Sequence, residues 1–563
     1  MRPGPYERHR ELLHGMVGAL AAGECRRPFT EATGQDAADA GMRSTRTAGR
    51  VFHSLLGRPF ELGQPGESGR VCTESSPYGV GPAVSYPRCE PAELVSAAGR
   101  AAADWRAAGP GRRAELAVEI LRLLNTRSHE LALAVHHTTG QTLSSAFRAA
   151  GPRAQDRALE AVARAFAESE RVPADLRWEG AVRGGRPRAL RGTCTLVPRG
   201  LSLLVGCPDF PLWNGWPGLF ASLVTGNPVI VAPHPRAVLP LAITVRVARQ
   251  VLAQAGHSPD LVTLAVAEPE RRVHRRLATD PAVRIVDFTG CGRFADWLQR
   301  HARQAVVFAD RTGLNTVLVD STDDYRGLVR GLALAACLCP GTVRTTPQNI
   351  LVPEGGFATD EGHRTLRDLG ADLGDAVDRL LGHPAGVARL LGASCGATGV
   401  RAALAEAARH GPVLHSTGVL THPDHPGAEL LGPLLVRLRA SDERVYTREW
   451  PGPVTFLVGT ESASHGLDLL RRTVGRHGAR YASVHSTDPL VLAAAETAAL
   501  EAGVHLVENL DDLPADPSSP CAELPGSGAD FITGRFRVVR ARRPAAPAAA
   551  PGRLGVAAEL VDV

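Results

Sequence analysis

The residues able to do chemistry in this sequence gather in a few short stretches. Asp287-Phe288-Thr289-Gly290-Cys291-Gly292-Arg293 has the texture of a strand running through a tight turn into a helix. Glycines there let the backbone approach a pyrophosphate, and a helix N-terminus offers free N–H groups and a positive dipole end. Cys291 stands beside that turn, where a helix N-terminus would depress a thiol pKa. The competing reading is an inert, small, buried residue. A second stretch, Pro340 to Asn349, carries Arg344 in its middle. A guanidinium is a permanently charged donor with no lone pair to offer a carbonyl carbon. It is suited instead to gripping a carboxylate or a phosphate with two parallel hydrogen bonds. A third, Val307 to Asn315, carries Asp310, a carboxylate that either works through a water or caps local structure. His415 with Thr421-His422-Pro423-Asp424-His425 looks metal-like, yet its spacing fits no named motif, and its prolines and glycine suit a surface loop.

Equally informative is what is missing. All 63 basic residues are arginine, which removes Schiff-base lysines, lysine bases and the P-loop lysine. Pyridoxal enzymes and Walker-type NTPases are thereby excluded. GC-rich coding accounts for the bias. The ten cysteines (25, 72, 89, 194, 207, 291, 337, 339, 395 and 521) are scattered without paired CxxC spacing, so reduced thiols are expected.

The elements that must position these residues follow from periodicity. Helical stretches are predicted around Tyr6–Ala22 and Ala37–Leu56, followed by a Gly/Pro/Ser-rich segment. From Pro91 to Arg171 apolar residues recur at helical spacing. Beyond Val172 the texture becomes β-α alternation. Strands are predicted at Leu201–Val205, Pro228–Val231, Leu261–Val266, Val283–Phe288 and Ala305–Phe308, with helices at Pro240–Ala255, Arg271–Thr279 and Arg293–Arg303. Short apolar runs between such helices argue for a parallel, doubly wound sheet. A second α/β region opens with the strand Thr316–Val319, runs through a long helix to Cys339, and continues past the strand Ile350–Val352 to about Asn509. The Pro/Ala-rich stretch Arg543–Arg553 is expected to be mobile.

Laid in order, the segments resemble the aldehyde dehydrogenase superfamily over nearly the whole chain. The stretch Pro340 to Asn349 is similar to that superfamily's active-site loop, and more narrowly to the phenylacetic acid degradation (PaaN) branch, where it reads approximately Ser-Gly-Gln-Met-Cys-Thr-Thr-Pro-Gln-Asn. On that pattern Arg344 occupies the nucleophile position. Gly206 to Pro217 contains the Trp213-Asn214 pair, and the resemblance implies that Asn214 donates its side-chain amide to the substrate oxyanion, a donor typically worth ~3 kcal/mol. The branch's Lys-Pro-His-Pro reads Ala232-Pro233-His234-Pro235, so the lysine that would contact the adenosine ribose has become Ala232. Losing one charged hydrogen bond costs ~1.5–3 kcal/mol, around 10- to 150-fold in cofactor affinity. Thr289, Gly290 and Gly292 match the pyrophosphate turn. Asp310 stands at the general-base glutamate of a Glu-x-x-Gly-x-Asn element, one methylene shorter and so about 1.5 Å short in reach. Glu449, in Arg448-Glu449-Trp450-Pro451-Gly452-Pro453, matches the glutamate that grips the nicotinamide ribose, with Pro451 at the phenylalanine position.

The resemblance implies two doubly wound α/β domains, a Rossmann-like cofactor domain and a thiol/catalytic domain, with an oligomerisation extension. The expected division is an N-terminal extension (1–90), the NAD(P)-binding domain (91–314), the catalytic-type domain (315–510) and a C-terminal oligomerisation segment with a mobile tail (511–563). NAD or NADP is the implied cofactor, bound weakly. The implied ligand is an aldehyde or a CoA-linked molecule, and the implied assembly a homo-oligomer, dimer or tetramer. Changes at the nucleophile, the ribose lysine and the base point to aldehyde oxidation that is impaired or lost. An active oxidoreductase with relocated chemistry, through Cys207, Cys291, Cys337 or Cys339, is the alternative, and an inactive subunit of an active homologue is a third. A hydrophobic share of 44% against 21% charged suits a globular protein, and no apolar run reaches the ~18 residues of a membrane span, so a cytoplasmic setting is expected. The net charge of +5 is small for this length, and the arginine clusters at Arg271–Arg276 and Arg535–Arg543 come with no recognised nucleic-acid-binding motif, so no nucleic-acid partner is expected.

Overall fold

The computed structural model describes residues 5–24, 26–29, 46–79, 81, 83–181, 187–268, 272–338, 346–479, 481–509 and 538–540. They divide into two compact units, the first ending at Arg311 and the second beginning at Thr312. The helix predicted over Ala37–Leu56 is seen across 46–55, and residues 37–45 lie outside the described residues, as do Arg271, Arg344, Cys339 and the 543–553 stretch.

In the first unit a helical layer runs through Pro5–Ala22, Pro91–Ala107, Gly109–Asn125, Ser128–Thr139, Leu143–Ala150 and Pro152–Glu170. Its buried side chains, Met16, Phe52, Trp105, Leu121 and Phe166 among them, form one core with the helices Pro211–Val224 and Leu239–Gln254. The five-stranded sheet has the order Val262–Leu264, Val229–Ala232, Leu201–Val205, Val283–Gly290, Val306–Arg311. Every pairing is parallel. Numbered along the chain this is 3-2-1-4-5. The switch point therefore falls between Leu201–Val205 and Val283–Gly290, where doubly wound folds open a crevice at the strands' carboxyl ends.

Two strands run longer than periodicity predicts. Val283–Phe288 continues to Gly290 and Ala305–Phe308 becomes Val306–Arg311, because Thr289 pairs with Asp310 and Gly290 with Arg311. The ladder hydrogen bonds hold the glycine in the strand, so the turn itself is Cys291, the N-cap of the helix Gly292–His301. A hairpin, Asp175–Ala181 with Pro187–Thr193, has no counterpart in the sequence reading.

The second unit is built on an eight-stranded sheet: Val413–Ser416, Leu434–Arg439, Val454–Thr460, Asn349–Pro353, Thr316–Val319, Tyr481–His485, His505–Glu508, Val538–Arg540. All neighbours are parallel except the first pair. The helix predicted to reach Cys339 is described as Tyr325–Cys337, opened by Asp324, whose Oδ1 accepts from Gly327 N at 2.9 Å. It packs with Leu366–Leu381, which begins with a capping box between Thr365 and Asp368. Among the described residues no helix is long and apolar enough to cross a membrane.

Candidate active site

Asn214 lies in the first turn of Pro211–Val224, a helix with Pro217 inside it and glycines at 215 and 218. Intrinsic propensity opposes such a helix. Burial of Leu212, Trp216, Leu219, Phe220 and Leu223 overrides it. Trp216 Nε1 donates to Thr244 Oγ1 at 3.1 Å, and at the far end Arg113 Nε donates to Val224 O at 2.8 Å, closing the C-terminus. The Asn214 amide Nδ2 reaches Cys207 Sγ at 3.4 Å, and Cys207 is buried. Between them the chain leaves Leu201–Val205 through Gly206, where a Cβ would sit 2.9 Å from Leu241 Cδ1 and 3.2 Å from Pro233 Cα. The absence of a side chain at 206 thus lets the loops after two neighbouring strands touch.

The second of those loops begins at Ala232, the last strand residue, which is fully buried in an apolar cluster and can offer a ligand no polar group. Behind it Thr73 Oγ1 donates to Pro235 O at 2.6 Å. The Glu74 carboxylate accepts from Val238 N, from Leu239 N at 2.8 Å and from Tyr86 O–H, anchoring the start of Leu239–Gln254. Burial raises the Glu74 pKa to about 7 against the downward pull of those bonds. Burial lowers His234 and His274, on and beside this loop, to about 4, which keeps both rings neutral.

At the glycine turn, a Cβ on Gly290 would strike the Phe288 ring at 2.6 Å, and Phe288 stacks edge-on against Phe294. Gly292 faces open space, and no side chain caps the first turn of its helix. That uncapped turn beside two glycines fits a nucleotide pyrophosphate. Cys291 is exposed. Thr289 is buried, and Asp310 is half-buried opposite it on the neighbouring strand. Sequence reasoning missed Asp287, whose carboxyl occupies the place a Cβ on Gly218 would take. The only signal was an acidic residue inside an otherwise apolar strand.

In the second unit both Glu449 oxygens accept from Thr312 Oγ1, at 2.9 and 2.8 Å. Three bonds from Gln348 fix that segment: Nε2 donates to Arg448 O at 2.9 Å and to Tyr446 O at 3.3 Å, and Oε1 accepts from Trp450 N at 3.0 Å. Asn349 Nδ2 adds a bond to Tyr446 O at 3.0 Å. Gln348 and Asn349 were read only as loop identity, and their positioning role needs long-range contacts to see. Cys337 is fully buried in the unit's core, where burial pushes its thiol up to about 12. Of the histidine cluster, His422 and His425 have ring centres 4.9 Å apart, while His415 Nε2 lies 3.0 Å from Thr417 Oγ1. No group of three metal-ligating side chains gathers among the described residues.

The family model described as the aldehyde dehydrogenase family matches residues 77–507. No curated protein matches the chain. Among solved structures, the chain is similar to an NAD-dependent aldehyde dehydrogenase from Burkholderia multivorans, with 41% identity, a TM-score of 0.87 and 91% of each chain covered. Fold alone is shared with a Thermus thermophilus 1-pyrroline-5-carboxylate dehydrogenase R100A mutant (17% identity, TM-score 0.66, 85% of this chain and 89% of that one). The same holds for an NAD-dependent benzaldehyde dehydrogenase from Corynebacterium glutamicum (17% identity, TM-score 0.62, 81% of this chain and 93% of that one). With more than half its length matched by the family model and a relative at this identity over nine-tenths of its length, the chain belongs to the aldehyde dehydrogenase family.

Proposed function

We propose that this chain binds a nicotinamide nucleotide and an aldehyde or CoA-linked ligand of the phenylacetate-degradation kind, and that it has lost thiol-dependent aldehyde oxidation. Two observations carry the reading: in the sequence Arg344 stands at the nucleophile position, and Cys337, seven residues before it, is sealed in the core and held protonated by burial. A thiol must be ionised and accessible to attack. Asn214 would polarise the ligand carbonyl, Asp310 would take or hold a proton near it, and Arg344 would meet an anionic group on the ligand. The turn at Thr289, Gly290 and Gly292 would hold the pyrophosphate and Glu449 the nicotinamide ribose. When bound, the nucleotide supplies a hydride acceptor. The Burkholderia relative is named for NAD, which makes NAD⁺ the first nucleotide to test.

Calorimetric titration with NAD⁺ and NADP⁺, each followed by an aldehyde panel with absorbance monitoring of the reduced cofactor, tests both halves. Binding without reduced cofactor is expected, weaker by about 10- to 150-fold than in a lysine-bearing relative, as loss of one charged hydrogen bond implies. No heat at millimolar nucleotide overturns the binding half, and steady production of NAD(P)H overturns the loss of oxidation.

One contact favours a second reading, an active oxidoreductase with relocated chemistry: Cys207 Sγ lies 3.4 Å from the Asn214 amide. A thiol that close to an oxyanion donor has the proximity a nucleophile needs. Iodoacetamide labelling followed by peptide mapping separates the readings. Cys207 is expected to stay unlabelled while exposed Cys72 and Cys291 react. Preferential alkylation of Cys207 would move the second reading to the front.

A further inference from the structure

We propose that a cavity inside the second unit, between the helices Tyr325–Cys337 and Leu366–Leu381, binds a small molecule through a phosphate group. It shares no residue with the sites described above. The cavity measures about 470 Å³, within the range of pockets that hold small ligands. The first helix lends it Arg326, Val329 and Arg330. The second lends Asp372, Ala376, Arg379 and Leu380. Both sets follow the three- and four-residue spacing of a single helix face, so each wall sets arginine beside apolar side chains. A third side is the hairpin Phe357–Thr359 with Gly362–Arg364, which brings Glu361 and Arg364 to the cavity. Its turn is tied down: Asp360 Oδ1 accepts from Tyr325 N at 2.9 Å, and Thr359 Oγ1 donates to Gly362 O at 2.6 Å.

Four arginines meet two carboxylates in this lining, an excess of two positive charges. Both carboxylates are already engaged. Glu361 accepts from Arg326 Nε at 2.5 Å and from Arg364 Nη2 at 3.1 Å, and Asp372 accepts from the Tyr325 hydroxyl at 2.6 Å. Arg364 also lies over the Tyr325 ring, its guanidinium carbon 5.0 Å from the ring centre, and its Nε is buried with no hydrogen-bond partner. Buried donors in folded proteins are ordinarily satisfied. Arg330 and Arg379 are exposed, and among the described residues neither makes an ion pair or a hydrogen bond. Two guanidiniums without a counter-ion, one from each helix, match a dianion. A phosphate monoester carries close to two charges at neutral pH and accepts several hydrogen bonds at once. A single carboxylate would leave one arginine unmatched. Val329, Ala376, Leu380 and the Tyr325 ring supply an apolar surface for the body of such an ester.

The test is calorimetric titration of the full chain with phenyl phosphate, inorganic phosphate and phenyl sulfate at millimolar concentration. Arg330→Gln and Arg379→Gln are the variants, because an exposed and unpaired side chain can be replaced without loss of the fold, which thermal melting verifies. Should one fail to fold, the other, on the other helix, decides. Phenyl phosphate is expected to bind the wild-type chain at one site and each variant about tenfold more weakly, as loss of one charged hydrogen bond implies. Phenyl sulfate carries a single charge and is expected to bind more weakly than phenyl phosphate, and equal affinity overturns the match to a dianion. Inorganic phosphate as tight as the ester would assign the site to the free ion, and a tighter ester would assign it to a phosphorylated small molecule. Either result upholds the phosphate site. No heat from either phosphate overturns it, and so does binding unchanged in both variants, because the anion would then sit elsewhere, as at the glycine turn. A chain that binds no nucleotide would sink the functional reading and leave this titration untouched.

Discussion

Arg344→Cys is expected to yield a chain that is acylated by an activated aryl ester, with a matching mass increase on the loop peptide. The charge-only control, Arg344→Ala, is expected to remain inert. On the proposed loss of thiol chemistry the parent's rate is the uncatalysed one, because arginine offers no attacking lone pair at any physiological pH. Where a nucleophile has been removed from an intact constellation the loss is of order 10⁴- to 10⁶-fold. A gain of about 10⁴-fold in esterase rate is therefore expected if Asn214 supplies its oxyanion contact and the loop is accessible. Restoration of acylation without NAD(P)H production would divide the remaining deficit between Ala232 and Asp310, the positions to which the proposed reading gives the ribose contact and the base. No acylated peptide would mean that the departure from the family's chemistry extends well past one side chain.

How much of this could be read in advance depends on whether the signal was local. The β-α alternation was legible because Leu201–Val205, Val229–Ala232 and Thr316–Val319 are short apolar runs, buried on both faces as parallel strands are. The strand-to-helix turn at Cys291 was legible because glycine spacing is a local pattern. The helix carrying Asn214 was not, since its prolines and glycines contradict helix propensity and only the packing of Trp216 and Phe220 reveals it. The hairpin Asp175–Ala181 with Pro187–Thr193 escaped for a different reason. Its second strand puts Ala189 and Leu190 side by side between Arg188 and Arg191, which breaks the alternation that marks a half-buried strand. Least readable were the pairs that meet across the fold: Glu449 with Thr312, Gln348 with the 446–450 segment, and Asp287 with Gly218. No period in a sequence encodes such meetings. Identity at a site can be read from a motif, whereas the support of that site has to be read from structure.

That support leads to the second large effect, a loss of stability toward alkaline pH. Glu74, Asp156 and Asp287, all in the first unit, have pKa values raised to about 7, in each case chiefly by burial. A carboxyl whose folded pKa exceeds its unfolded value is protonated more readily in the native state. Its contribution to stability is complete below the unfolded pKa and is lost as pH rises through the folded one. The window here runs from roughly pH 4 to just above 7. For Glu74, moving from 4.5 to about 7 at about 1.4 kcal/mol per unit gives about 3 kcal/mol across that window. Urea unfolding of the first unit is accordingly expected at a distinctly lower midpoint at pH 8 than at pH 5. Glu74→Gln, which mimics the protonated acid, is expected to flatten the profile by removing the charge that must be buried above neutrality. It should cost little at pH 5, because an amide oxygen can still accept from Leu239 N. Glu74→Ala, by contrast, strands Leu239 N–H and Tyr86 O–H without their acceptor at every pH, a uniform penalty of about 2–3 kcal/mol. Parallel profiles for wild type and Glu74→Gln would mean that Glu74 stays ionised on its hydrogen bonds, and the slope would then fall to Asp156 and Asp287. Because Glu74 anchors the helix that follows Pro233-His234-Pro235, the same pH window is where the loop bearing Ala232 would loosen. Nucleotide affinity measured at pH 5 and at pH 8 would register that change as a drop in parallel with stability.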